Sequence, residues 1–209
     1  MLRPVLVAAP AKPVVTTAEI KAQVVAADFF DDDVVLDRLV AAATAHLDGW
    51  TGILGRCLIN QQWRQDFWYW PTCRYIKLPF PDVSVVEIAY YDAENVKQIV
   101  DSSLYDLLQD IDGSNVWFKD AFTYPTIYYN RRDGLQITMT AGYGADSSAV
   151  PEAIRHAIMM LATHWYGNRS AVEDGRNNAP LEVPLGVSML IEPYRRQSDR
   201  KSTRLNSSH

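Results

Sequence analysis

Asp28, Asp31, Asp32 and Asp33 lie close together, and an acidic cluster of that kind could hold a divalent cation. A calcium loop, however, alternates its oxygen ligands in a D-x-D-x-D-G frame and ends on a distal glutamate, and neither stands here. Acids placed just ahead of an apolar helical stripe match a helix N-terminus instead, where they face the positive end of the dipole. His156 and His164, eight residues apart, would sit about 80° apart and roughly 12 Å along one helix axis. Two such imidazoles cannot share a zinc whose ligands bind at about 2 Å, so they are expected at a surface or an interface. Cys57 and Cys73 fall outside any CxxC pair. As a nucleophile Cys57 would need a positioned histidine, which no local pattern supplies, so it is expected as a small buried residue near a helix end. No G-x-S-x-G, H-E-x-x-H, P-loop or G-x-G-x-x-G occurs, and Gly142-Tyr143-Gly144 is a strand-to-helix turn. The sequence therefore assigns no catalytic residue, no metal ligand and no cofactor, and it does not read as an enzyme.

Trp68-Tyr69-Trp70 could stack a base or a sugar, but without basic neighbours a core or interface role is favoured. Arg131-Arg132 precede the turn dipeptide Asp133-Gly134, a pattern that reads as a solvated hairpin tip or a partner contact. Trp68, Trp70, Arg131 and Arg132 are accordingly the candidate partner or ligand surface. The 209 residues are 48% apolar and 22% charged, with a net charge of −5, which excludes a disordered polyelectrolyte. The acidic balance also argues against a protein that coats nucleic acid with a basic face. No run approaches the roughly 18 apolar residues of a membrane span.

These residues must be positioned by elements whose period changes twice along the chain. The N-terminal stretch, interrupted by Pro4, Pro10 and Pro13, reads as an extended arm in a protein of the reducing cytoplasm. Thr16-Thr17-Ala18-Glu19 is a capping box that opens a short helix to about Val25. Asp31, Asp32 and Asp33 open a second, whose stripe runs through Val35, Leu36, Leu39, Val40, Ala43, Leu47 and Trp50. Gly49, Gly52 and Gly55 end it. From Leu58 to Tyr143 the period is two, predicting strands over 59–67, 74–78, 83–91, 96–100, 103–108, 115–118, 126–129 and 135–141. Helical period returns after Val150-Pro151-Glu152, with Ile154, Ala157, Ile158, Leu161, Ala162 and Trp165 as the buried stripe and Gly167-Asn168 as the stop. A short amphipathic run follows Val183-Pro184-Leu185-Gly186-Val187.

The expected fold class is α+β. A small helical bundle is formed by the N-terminal helices and the late helix (residues 1–57 and 145–170), with an inserted antiparallel β domain (58–144). A C-terminal partner-docking tail (171–198) completes it. Residues 199–209, Asp-Arg-Lys-Ser-Thr-Arg-Leu-Asn-Ser-Ser-His, have no apolar periodicity and are similar to a translated sequencing-library adapter. As read-through they are not native design, so His209 and the sequon-like Asn206-Ser207-Ser208 carry no function.

The ordered set of segments resembles the head–tail connector family (adaptor, or head completion) of long-tailed phages, prophages and gene transfer agents. The resemblance is carried by Val15-Thr16-Thr17-Ala18-Glu19-Ile20-Lys21, the Asp-rich helix start, His46 through Thr51-Gly52, and Leu58-Ile59-Asn60-Gln61-Gln62-Trp63. It continues in Ile76-Lys77-Leu78-Pro79, Ile88-Ala89-Tyr90-Tyr91-Asp92, Thr140-Ala141-Gly142-Tyr143-Gly144 and Val150-Pro151-Glu152-Ala153-Ile154-Arg155. It closes on His164-Trp165-Tyr166-Gly167-Asn168-Arg169 and on Leu185-Gly186-Val187 before Pro193-Tyr194-Arg195, covering about residues 14–196.

The resemblance implies a non-enzymatic virion protein at the head–tail junction, assembled in the host bacterial cytoplasm. It would be a homo-oligomeric ring, roughly twelve-fold, that docks on the portal protein after DNA packaging and extends the DNA channel. It would then present a platform to a tail-side connector or tail terminator, with no membrane role. An acidic chain lining a channel repels phosphates, so packaged DNA passes without specific binding. Within that reading Leu185, Val187, Leu190, Tyr194, Arg195 and Arg196 are suited to ordering on the portal. The alternative for this tail is a C-terminal strand packed on its own core. The alternative for the whole chain is a monomeric carbohydrate- or peptide-binding module using the aromatics of the β domain.

Overall fold

A computed structural model describes residues 2–24, 32–111, 113–167 and 184–196. In chain order the elements are β1 (Val5–Ala8), α1 (Thr17–Val24), α2 (Asp33–Leu47), β2 (Gln61–Phe67), β3 (Tyr75–Lys77) and β4 (Val83–Tyr91). They continue with β5 (Lys97–Ile99), β6 (Tyr105–Asp110), β7 (Gly113–Phe118), β8 (Leu135–Ala141), α3 (Glu152–Gly167) and α4 (Leu185–Ile191). The protein is α+β and divides into two units. A β unit holds the N-terminal arm, residues 60–143 and Arg196; a helical unit is drawn from 12–59 and 144–195.

In the β unit two antiparallel sheets form, one in the order β1-β2-β8-β4-β5 and the other β3-β7-β6. The alternation of β8 sets the core: Leu135, Ile137, Met139 and Ala141 are all buried, while Thr138 and Thr140 face outward. Phe80, Phe118, Ile88 and Leu78 complete that core. The second sheet is tied to the first by polar groups. Tyr105 Oη donates to Val86 O at 2.9 Å, and Gln109 Nε2 donates to Val83 O at 2.9 Å. Ser114 Oγ accepts from Val83 N at 3.1 Å, so this buried hydroxyl and its backbone partner satisfy one another.

Three features differ from the sequence reading. The arm at 2–8, expected with the helical core of residues 1–57, joins the β unit as an edge strand. Leu2 N donates to Asp66 O at 2.9 Å and Gln65 Nε2 to Leu2 O at 2.9 Å, so β2 supplies ladder groups that only an extended chain can meet. The stretch at 126–129 forms no strand. It has β-prone residues but only a single backbone bond to the sheet, from Tyr128 N to Tyr91 O at 3.0 Å. Within the expected tail of 171–198, residues 185–191 are helical and a 3-10 turn, Glu192–Tyr194, follows. Val187 and Ile191 are spaced i, i+4 and both are buried, with α4 packed on α3. Residues 168–183 and 199–209, including the adapter-like end, lie outside the described residues.

In the helical unit the capping box forms as the sequence specifies. Thr16 Oγ1 accepts from Glu19 N at 3.3 Å, and Glu19 Oε2 accepts from Thr16 N at 2.7 Å. The same carboxylate pairs with Arg155 of α3, which also bonds Glu152. Lys21, largely buried, pairs with Asp33, and Tyr166 Oη donates to Asp32 Oδ2 at 2.5 Å. The backbone N–H of Thr16, with Arg155 alongside, holds the Glu19 carboxyl below its ordinary 4.5. A depressed carboxyl contributes stability above its ordinary pKa and loses it as pH falls through the folded value. Thermal unfolding of the helical unit should therefore become more acid-sensitive below about pH 4.5 in the parent than in Glu19→Gln. Equal acid sensitivity in the two would show that the network contributes nothing. Thr16→Ala, which removes the cap oxygen, is expected to cost about 1 kcal/mol.

Candidate interaction surfaces

The four residues expected to form one partner surface separate into two that point inward and two that point outward. Trp70 is half-buried, and its ring lies 5.3–5.8 Å from those of Phe122, Tyr90, Tyr124 and Phe118. Its Nε1 donates to Pro125 O at 2.7 Å, so both its face and its polar handle are already used. Arg131 forms a fork on Asp133, with Nε to Oδ1 at 3.0 Å and Nη2 to Oδ2 at 2.7 Å, and lies over the Tyr91 ring at 3.5 Å. That fork is the main reason the Asp133 carboxyl sits below its ordinary range. Arg131 is thus a brace for the turn before β8 rather than a free cation.

Trp68 is 45% exposed, with Arg132 over its ring at 5.2 Å. Tyr69 beside it is 71% exposed and Tyr129 is 92% exposed. Tyrosine, tryptophan and arginine in this arrangement have the composition of an interface centre. The sequence marks this end of the unit through Trp68 and Arg132 but gives no sign of Tyr129, whose segment reads as a strand. Arg131→Ala is expected to loosen the turn and lower the melting temperature of the β unit. Arg132→Ala should leave it nearly unchanged, and equal effects on melting would refute the division.

The tail residues are similarly sorted by α4. Val187 faces α3 and is buried, Leu190 and Tyr194 are half-buried, and Leu185 is 77% exposed. Met189, which the sequence reading passed over, is 70% exposed one turn beyond Leu185. Arg195 pairs with Glu192 at 3.6 Å. Arg196 donates to the carbonyls of Pro79 and Leu78, the latter at 3.3 Å, so it binds within the β unit. The outward apolar face of α4 is therefore Leu185 and Met189.

The outer face of the five-stranded sheet forms a hollow of about 370 Å³ lined chiefly by Gln62, Arg64, Glu87, Lys97, Thr138 and Thr140. Arg64 is already held by Asp66 at 2.9 Å, and Val7, Val85 and Met139 add apolar surface to the hollow. Of the acidic cluster, Asp32 and Asp33 are engaged at the start of α2, whereas Asp28 and Asp31 lie outside the described residues. His156 is exposed and His164 half-buried on α3, while His46 meets the edge of Trp165 at 6.3 Å. Cys57 is buried and Cys73 exposed, both as thiols. Among the described residues no group of three or more His, Cys, Asp or Glu side chains could hold a metal ion, and no helix is long and apolar enough to cross a membrane.

No protein-family model matches the chain, and no curated protein matches it. Solved structures do. A chain from the neck of an empty GTA particle, computed with C6 symmetry, is 27% identical with a TM-score of 0.73. A chain from the virion of a native gene transfer agent particle is 26% identical with a TM-score of 0.73. A chain from the neck of a native GTA particle, computed with C12 symmetry, is 25% identical with a TM-score of 0.70. Each likeness covers 93% of this chain and 95% of the other. They support a structural neck protein of a phage or gene-transfer-agent particle.

Proposed function

We propose that this chain is the adaptor of such a neck, a ring of roughly twelve copies that docks on the portal and carries the DNA channel toward the tail. The observation that carries this reading is the end-to-end likeness to neck chains, since it spans both units rather than one common module. The chemistry of the chain is consistent with it. A net charge of −5 suits a conduit that DNA must traverse without sticking, because an anionic wall repels phosphate. In this role the protein joins other proteins and makes or breaks no bond.

The portal contact is assigned to the outward face of α4. Leu185 and Met189 are exposed on a helix whose opposite face is anchored, a rigid apolar pair of the kind that fits a groove. Leu185→Ser with Met189→Ser is expected to weaken co-sedimentation with the portal protein of the same genomic neighbourhood by at least about tenfold. Melting should remain that of the parent. Undiminished binding would refute the assignment, and so would a loss of binding that merely follows unfolding.

A further inference from the structure

The five-stranded sheet ends in two strands whose outer edges have no strand partner among the described residues, β1 on one side and β5 on the other. Both edges are exposed. Val5, Leu6 and Val7 are 49%, 44% and 53% exposed, and Ile99 is 66% exposed beside Lys97 and Gln98. Apart from Lys97, neither strand carries a charge. A free edge is a template for another strand, and the guards here are slight: both strands are short, β1 has one bulge and β5 carries one lysine. β1 is nevertheless held along β2 by the register Val5↔Arg64, Leu6↔Trp63 and Ala8↔Gln62, with a bulge that leaves Val7 without a partner on β2.

We infer that these two edges are one interface: β1 of each copy pairs with β5 of its neighbour, so that the sheet continues around the ring. This rests on the ring reading proposed above. Every pairing in the sheet is antiparallel, so β1 and β5, four strands apart, run in the same direction. A neighbour rotated by the small step of a six- or twelve-fold ring therefore presents β5 parallel to β1. That contact is heterologous and closes by rotation, whereas a two-fold axis would join β1 to β1 and leave β5 open. Five strands at about 4.8 Å give about 24 Å per copy across the strands, which a tilt of about 30° stretches to about 28 Å of circumference, so that twelve copies make a ring about 105 Å across at the sheet. By register β1 lies level with residues 138–140 of β8, and β5 with residues 135–136. The two edges are thus offset by about four residues, roughly 14 Å. Joined copies absorb that offset if their strands tilt about 30° from the ring axis, near the range of closed barrels.

The test is disulfide capture in the full-length protein, in a Cys73→Ser background. Val7→Cys with Gln98→Cys should give, on oxidation with the portal present, a ladder of linked species rising to roughly twelve copies. Each single substitution should give no ladder. The neighbouring pairs Leu6→Cys with Gln98→Cys and Val7→Cys with Lys97→Cys cover a one-residue difference in register. Val7→Lys, a charge at an already exposed position, should stop ring closure while leaving the melting temperature unchanged. Rings that form without a ladder from any pair overturn this interface and leave the adaptor reading standing. Dimers from Val7→Cys alone would show β1 meeting β1 and overturn it as well. Failure to form any ring, with or without the portal, overturns both.

Discussion

Replacing Trp70 by Ala should be among the most damaging substitutions in the β unit, at about 3 kcal/mol, the lower end for a large aromatic because the ring is half-buried. Its ring contacts Tyr90, Phe118, Phe122 and Tyr124, which belong to β4, β7 and the segment that follows β7. Removing it leaves a cavity shared by several chain segments, none of which can collapse into it without disturbing the others. It also strips Pro125 O of its donor. At this size a loss of that order corresponds to a fall of at least about 12 °C in the melting of the unit. Trp70→Phe keeps most of the packing and should retain well over half the stability difference. Trp68→Ala should cost under about 1 kcal/mol, because its ring is exposed and its contact with Arg132 is an open cation–π pair. Calorimetry of the three variants checks the order. If Trp70→Ala and Trp68→Ala proved equally mild, the inward assignment of Trp70 would be wrong.

Gly52→Val is expected to do comparable damage in the helical unit, at the upper end of the roughly 1–3 kcal/mol seen for overpacking. After α2 the chain folds back across the end of the helix. Ile53 N donates to His46 O at 2.9 Å and Leu54 N to Leu47 O at 3.3 Å, which satisfies carbonyls that have no intrahelical partner. A Cβ at Gly52 would fall far inside contact with Asp48 O and the Leu47 carbonyl, all backbone atoms that cannot swing away. The loop would have to lift, uncapping both carbonyls and shifting Leu54, which is fully buried. Chemical denaturation should show a lower midpoint, with Gly52→Ala nearly as severe because the clash is at Cβ itself. A tolerated alanine would show that this loop yields more easily than its geometry allows.

The elements legible in the sequence are those whose residues alternate between core and solvent. The β8 boundaries and the stripes Leu36, Val40, Ala43, Leu47 of α2 and Ile154, Ala157, Ile158, Leu161, Ala162 of α3 can be read because burial follows the period of the backbone. Trp50, expected on the α2 stripe, instead lies past the helix end and is 38% exposed, and Trp165 is only half-buried. The capping box was equally readable, since its residues act on their own backbone. β1 was not readable as a strand, because every one of its residues is exposed and its only structural cause is the ladder with β2. The 126–129 segment failed in the opposite way: strand-like composition, but a single backbone bond to β4, from Tyr128 N to Tyr91 O, rather than a ladder. At the surfaces, residue type does not separate the packed members of a segment from the presented ones. Trp68 and Trp70 differ by two positions, yet only tertiary partners decide that one is packed and the other presented. Arg131 and Arg132 differ for the same reason, since the fork on Asp133 selects the first. On α4 the i, i+4 pair Val187 and Ile191 claims the inner face, which leaves Leu185 and Met189 outward.

The central claim is that this protein works as a ring in a particle neck, and its mass in solution tests that most directly. Light scattering with negative-stain imaging should be run on the full chain, alone and mixed with its portal protein. The account predicts a closed ring of roughly twelve copies, free or seated on the portal, in keeping with the twelve-fold symmetry of a related neck. A monomer that ignores the portal at every concentration tried would contradict it.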